Sequence, residues 1–298
     1  MSNMLRKVDE CALCHSKEHS WRKVFSLNQD QDLVECRECG LFFNNFQRID
    51  FENIYSDDYF AECENMDSYG GFSNYSALEH GIQKMYRFAH IFILSKSSPS
   101  KKYSLMEIGC SFGFFLKMFQ KEKNFSLLGV ELSKKAAYEV KKQGINVFTI
   151  PFEELEGTEK YDYITFFEVL EHTLSPVDVM KKVSYNLKPG GYAILSTPDI
   201  GSVCFSILKK RWSSIHPSAH NYYFNKSTMK KLAEKADLEL VSIHSSQIMW
   251  SDSFHFRKRL SEMFPSLRRI LKILSFMDPH VIPFLNGGDL RVILRKKG

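Results

Sequence analysis

The sequence predicts an α/β protein: a doubly wound, mainly parallel sheet with a small zinc ribbon on its N-terminal side. Two observations predict it. From Tyr103 onward, apolar runs of strand type alternate with segments of helical period. Before them stand two C-x-x-C pairs, Cys11 with Cys14 and Cys36 with Cys39, separated by 21 residues. With 298 residues, 44% of them hydrophobic and 25% charged, the chain can bury one large core and carry an appendage. The net charge of +5 and a pI near 8.7 fall far short of the dense basic footprint of a dedicated nucleic-acid binder, so no nucleic-acid partner is expected. "MSNMLRKVDECALCHS" lacks the apolar centre of a signal peptide, and no run approaches the ~18 apolar residues of a membrane span. A cytoplasmic, reducing location is expected.

The elements follow in chain order. Residues 1–45 read as the ribbon: two thiolate pairs on tight turns supply the four soft ligands of a tetrahedral zinc, a closed structural site with no open position. Reduced, unmetallated thiols are the alternative. Cys63, Cys110 and Cys204 lack metal spacing and read as small buried hydrophobes. Residues 46–102 read as a docking segment and a helix capping the ligand edge of the sheet. Within it, Leu78, Ile82, Met85, Tyr86, Ala89 and Ile93 recur at helical spacing, predicting one amphipathic helix from Ser76 to Ser95. "KSSPSKK" then breaks the pattern. The main domain, 103–298, opens with a strand at Tyr103–Ile108 and a helix from Phe112. Then come strand "FSLLGVE", a helix from Ser133, strands "NVFTI" and "YDYITFF", a helix from Pro176 and strand "GYAILST". A lid-like helical insertion is expected at 252–280.

"MEIGCSFGFF", Met106–Phe115, reads as a strand end, a glycine-containing turn and a helix start, at the sheet edge where ligands of such folds bind. A P-loop would need Gly-Lys-Ser/Thr where Phe114 and Phe115 stand. A dinucleotide fingerprint beginning at Gly109 would need glycine at Ser111 and at Phe114. What the turn does contain is E-x-G-x-S-x-G: Glu107, Gly109, Ser111 and Gly113. This resembles the first motif of the class I S-adenosylmethionine-dependent methyltransferases, with Ser111 in place of the commoner glycine. "YDYITFFEVLEHTLSP" resembles the E-V-x-E-H signature of the subgroup that includes ubiquinone-pathway O-methyltransferases and many sugar and polysaccharide methyltransferases. "LKPGGYAILSTP" resembles that family's turn and fifth strand. The resemblance covers roughly residues 103–246, and the ribbon narrows it toward zinc-ribbon-bearing members of sugar pathways.

The resemblance implies a Rossmann-like seven-stranded sheet whose last strand, "GGDLRVILRKK", runs antiparallel. It implies S-adenosylmethionine as cofactor. Gly109 and Gly113 would let the backbone approach it, and Glu107 would orient turn amides or meet its amino group. Ser111 completes the turn, and Glu131, 18 residues after Gly113, would accept hydrogen bonds from the ribose hydroxyls. Phe152 would offer a face to adenine. The acceptor is then a small molecule, chiefly a hydroxyl of a nucleotide- or lipid-linked sugar. The alternatives are a quinone or phenolic precursor, or a non-enzymatic interaction module.

For the proton, Glu168, Glu171 and His172 cluster in sequence at the cofactor edge. Neutral His172 could act as base, the three could bind a divalent cation, or Glu171 and His172 could brace the loop. His216 or His220 in "SSIHPSAHNYYF" is an alternative base, placed with Tyr222 where the substrate would enter, or part of a loop stitched by histidine hydrogen bonds. Leu267, Ile270, Leu271 and Leu274, flanked by Arg268, Arg269 and Lys272, form a basic amphipathic stripe around 266–277 that suits a core or lid helix, or a peripheral membrane contact.

Overall fold

The computed structural model describes residues 4–50, 79–156, 160–252, 266 and 281–298. The expected docking segment at 51–78, Cys63, the insertion at 252–280 past Asp252 and its basic stripe lie outside the described residues, residue 266 apart.

Five short strands build the N-terminal module: β1 (Leu5–Lys7), β2 (Trp21–Ser26), β3 (Asp32–Cys36), β4 (Phe42–Asn44) and β5 (Phe46–Arg48). β1 pairs with β5, and β2, β3 and β4 form an antiparallel meander. Its two C-x-x-C turns are built alike: the His15 amide donates to Cys11 O and the Gly40 amide to Cys36 O, both at 2.8 Å, with His15 and Gly40 both in the left-handed region.

Helices α1 (Glu79–Met85) and α2 (Arg87–Lys96) come next. The single helix predicted over this stretch is therefore interrupted, at Tyr86. That ring lies stacked on Phe167 with centroids 4.0 Å apart, and its backbone leaves helical geometry at φ −96°, ψ 9°. Ala89 and Ile93 are buried as the spacing required.

The main sheet follows: β6 (Tyr103–Ile108), α3 (Phe114–Lys117), β7 (Phe125–Val130), α4 (Lys134–Lys142), β8 (Asn146–Phe148), β9 (Tyr161–Phe167), α5 (Pro176–Asn186) and β10 (Leu187–Pro198). After these come α6 (Val203–Leu208), the two-residue β11 (Tyr222–Tyr223), α7 (Lys226–Lys235), β12 (Leu238–Asp252) and β13 (Val281–Lys296). The order across the seven-stranded sheet is β12-β13-β10-β9-β6-β7-β8. The five strands from β8 to β10 are mutually parallel, and β13 runs antiparallel between β10 and β12.

Both faces of the sheet are covered, so consecutive strand residues are apolar and divide between two cores. Met106, Ile164, Leu195 and Val292 pack with Met180 and Val183 of α5 and Leu232 of α7. Leu105, Tyr163, Ile194 and Ile293 pack with Ile93 of α2 and Val140 of α4. The first core runs without interruption into the N-terminal module through Leu13, Leu41 and Phe43. A third core joins the module's Leu27 and Leu33 to Phe205, Trp212 and Tyr223. β11 then pairs with β4 and becomes the module's fourth strand. Cys110 is buried as expected, whereas Cys204, next to the exposed Val203, is only half-buried. Among the described residues no helix is long and apolar enough to cross a membrane.

The turn into β10 needs its glycine for space. A Cβ on Gly191 would meet three backbone oxygens, Lys188 O, Asp162 O and Tyr161 O, at 2.9, 3.0 and 3.1 Å. Gly191→Ala is expected to destabilise the protein by roughly 1–3 kcal/mol in urea denaturation, the usual cost of forcing volume into a packed site. An unchanged midpoint would mean that this turn can shift without cost.

Candidate active site

Three strands deliver the site from their carboxyl ends. Glu107 on β6 and Glu131 just past β7 lie on neighbouring parallel strands. The turn between them is pinned to β7 by the Gly109 and Cys110 amides, which donate to Val130 O at 2.8 and 3.1 Å. Gly109, Ser111 and Gly113 all have positive φ, at 68°, 48° and 73°. The glycines serve the chain's own packing as well as any ligand. A Cβ on Gly109 would stand 2.6 Å from Val169 Cγ2, and one on Gly113 would stand 3.2 Å from Val140 Cγ2. Ser111 carries a left-handed backbone with a side chain attached, an uncommon and costly arrangement.

Glu131 Oε2 accepts the Ser111 amide and its Oε1 accepts the Ser133 amide, each at 2.8 Å. Each oxygen keeps a further lone pair. Glu107 is 4% exposed, and its Oε2 and the Ser111 Oγ are buried without a hydrogen-bond partner among the described residues. Burial pushes the Glu107 carboxyl well above the ordinary range, with the charge of Glu131 adding to it; burial also raises Glu131, whose amide bonds work the other way. Two orphaned polar atoms beside a carboxylate with spare lone pairs form a cradle for a ligand rich in hydroxyl and amino groups. Phe152 is placed differently from the expectation. It is packed in the main core, with the Lys182 ammonium 5.6 Å from its ring centre, and shows no open face for stacking.

The end of β9 carries the second half of the site. Glu168, with φ 53°, turns toward β10, where Ser196 Oγ donates to its Oε1 at 2.7 Å. Glu171 is fully buried: Thr197 Oγ1 donates to its Oε2 at 3.0 Å, the Glu168 carboxyl lies beside it, and its Oε1 faces His172 Nε2 at 3.9 Å. Burial, then the charge of Glu168, pushes Glu171 well above the carboxylate range. His172 Nδ1 bonds Ala219 O at 2.9 Å and His220 Nδ1 bonds Ser214 O at 3.0 Å. A carbonyl can only accept, so both rings carry a proton on Nδ1. Burial lowers His172 to about 4, leaving it neutral at physiological pH.

The grouping differs from the expected trio of Glu168, Glu171 and His172. One Oε of Glu171 and one ring nitrogen each of His172 and His220 lie within 4.8 Å of one another. The His172 and His220 rings meet edge to face at 4.7 Å. His216 is one ring further out, 5.2 Å from His220. Tyr222 is buried, its hydroxyl donating to Leu174 O at 2.9 Å and lying 3.3 Å from Gln47 Oε1 of the N-terminal module. The residue against His220 is Tyr223, at 5.8 Å, its hydroxyl buried beside the His216 backbone. Thr197 and Tyr223 escaped the sequence reading; their places in "STP" at the end of β10 and next to the His220 loop were the signal.

In the N-terminal module, Cys11, Cys14, Cys36 and Cys39 bring four sulfurs together, with Cys11 to Cys39 and Cys14 to Cys36 both at 3.5 Å.

Three comparisons bear on this arrangement. Residues 78–243 match the family described as a methyltransferase domain. A ubiquinone biosynthesis O-methyltransferase of Vibrio vulnificus is 24% identical over 161 residues, 49% of this chain and 68% of that one. Its namesake from Acinetobacter baumannii is 28% identical over 102 residues, 31% of this chain and 43% of that one. Among solved structures, a magnesium protoporphyrin IX methyltransferase from Synechocystis with bound SAH aligns at TM-score 0.52 and 11% identity, over 80% of this chain and 94% of that one; that likeness is one of fold.

The buried carboxyl at Glu107 has a thermodynamic signature. Its raised pKa means that the folded state holds the proton more tightly than the unfolded state, so stability is lost as pH climbs from about 4.5 through the folded value. Glu107→Gln cannot ionise. It is expected to exceed wild type by about 1–3 kcal/mol at pH 8, the usual cost of an unsatisfied buried polar group, and to lose that advantage toward pH 4.5. Parallel pH profiles of the two proteins in thermal denaturation would contradict the burial.

Proposed function

As a member of the methyltransferase-domain family, this chain is an S-adenosylmethionine-dependent methyltransferase, and we propose that its acceptor is a hydroxyl of a small phenolic, quinone-type precursor. The observation that carries the reading is the convergence of Glu171, His172 and His220 beside the turn that holds Glu107, Ser111 and Glu131. The relatives named for ubiquinone biosynthesis favour the phenolic acceptor; the sugar acceptor implied by the cysteine ribbon finds no such support.

The cofactor supplies a methyl group activated on a sulfonium, so the chain's work is alignment, exclusion of water and handling of one proton. Glu131, with lone pairs left after two amide bonds, suits a pair of vicinal hydroxyls; Glu107 Oε2 and Ser111 Oγ suit the remaining polar groups. His172 presents Nε2 as the proton acceptor, fixed in orientation by Ala219 O. A pKa near 4 keeps it neutral but weakly basic. The Glu171 oxygen 3.9 Å away strengthens it once ionised, because a carboxylate there stabilises the imidazolium that forms. A second form of the same chemistry would have Glu171, His172 and His220 hold a divalent cation, which would supply a lowered pKa to the acceptor hydroxyl.

The four cysteines we assign to structural zinc. Tetrahedral Zn–S bonds of ~2.3 Å place sulfurs ~3.8 Å apart, close to the separations found here, and four thiolates leave no open position.

Calorimetry with S-adenosylhomocysteine is expected to show binding that falls at least about tenfold in Glu131→Ala and persists in His172→Ala, while turnover of catechol-type acceptors drops roughly 10²–10⁴-fold in the latter. Methylation of sugar nucleotides with no turnover of phenols would overturn the acceptor assignment. Metal analysis is expected to find one zinc per chain, removed by Cys36→Ser. Its retention in that variant would refute the four-cysteine site.

A further inference from the structure

Resting on the acceptor-site reading above, we infer that the N-terminal cysteine module is a positioning element of that site, acting through Asn44 and Gln31 on the loop that carries His220. Residues 214–221 form almost no regular structure, yet their carbonyls orient both site rings: Ala219 O holds His172 and Ser214 O holds His220. This loop hangs from the module. Asn44 Nδ2 donates to His220 O at 2.7 Å, and Gln31 Nε2 donates to Pro217 O at 3.2 Å.

Asn221, where the loop enters β11, joins three segments. Its amide donates to Glu171 O at 2.8 Å, and its carbonyl accepts the Asn44 amide at 3.0 Å. Its Oδ1 accepts the Arg48 amide and its Nδ2 donates to Arg48 O, both at 3.0 Å. Asn44 and Asn221 are each 0% exposed, so these bonds form in a region closed to water, where an unmet partner is costly. A module that only added stability would dock by apolar surface. This one also places directed donors on the backbone of the segment that sets the His172 to His220 geometry.

The test compares wild type with Asn44→Ala, Gln31→Ala and Lys231→Ala. Lys231 Nζ donates to Cys39 O at 2.9 Å, so it ties the module to α7 without touching the loop and serves as the control. Two readouts are taken on each protein: turnover with S-adenosylhomocysteine affinity, and the Nδ1–H and ring-nitrogen NMR signals of His172 and His220. Asn44→Ala is expected to keep S-adenosylhomocysteine affinity within about twofold, to lower kcat about 10–100-fold with KM less affected, and to shift both ring signals; displacement of reacting groups by ~1 Å costs of that order. Gln31→Ala, the milder change, is expected to do the same to a smaller degree, and it carries the test if Asn44→Ala does not fold. Lys231→Ala is expected to match wild type. Unmoved ring signals in Asn44→Ala and Gln31→Ala, or equal shifts in Lys231→Ala, would overturn the inference. If no phenol is turned over by wild type, the ring signals still decide it, and only the acceptor assignment falls.

Discussion

Four carboxyl groups, on Glu107, Glu131, Glu168 and Glu171, are withdrawn from water at the carboxyl ends of three adjacent strands, and the surrounding architecture answers to that withdrawal. Cores on both faces close the flanks of the sheet. Burial there raises all four groups. The fold tolerates this because each has some compensation: the Leu116 backbone for Glu107, two amides for Glu131, a serine hydroxyl for Glu168 and a threonine hydroxyl for Glu171. The compensation is incomplete at Glu107, where one oxygen has no hydrogen-bond partner among the described residues. A site built to grip polar ligand atoms has to hold some groups short of satisfaction when no ligand is bound.

The long connection from β10 to α7 shows how such a site is held with little regular structure. It contributes the short helix α6, the buried Trp212, the histidine loop and two residues of strand. Its apolar parts are absorbed by a core shared with the N-terminal module, and its backbone groups by that module's sheet edge and buried amides. The module thus stands in for secondary structure that the loop does not make itself. The zinc proposed for the four cysteines would suit that task, because a closed four-thiolate site stiffens a small element with little core of its own.

Much of the fold was legible in local pattern. The parallel strands, the helix starts at Ser133 and Pro176 and the antiparallel final strand fall close to where alternation, capping residues and family likeness put them. The two cysteine turns were legible from spacing, since a C-x-x-C pair can face only a narrow range of directions. The helix over residues 76–95 was misread as continuous because periodicity registers the buried face and is blind to Tyr86 being drawn onto Phe167, 81 positions along the chain. Phe152 was misplaced for a similar reason: a ring at a strand exit can face ligand or core, and the choice rests with what packs on it.

By itself the sequence determined the class of sheet, the pairing of the cysteines and the glycine-serine turn with its acidic neighbours, because each depends on contacts a few residues apart or on one fixed spacing. Only the tertiary structure decided that His220 joins Glu171 and His172 while Glu168 turns to Ser196, that Tyr223 and not Tyr222 faces the site, and that the module grips the loop through Asn44 and Asn221. Those partners are separated by up to 177 positions and meet through buried, directional hydrogen bonds. No local propensity encodes such bonds; they depend on packing that brings distant segments into register.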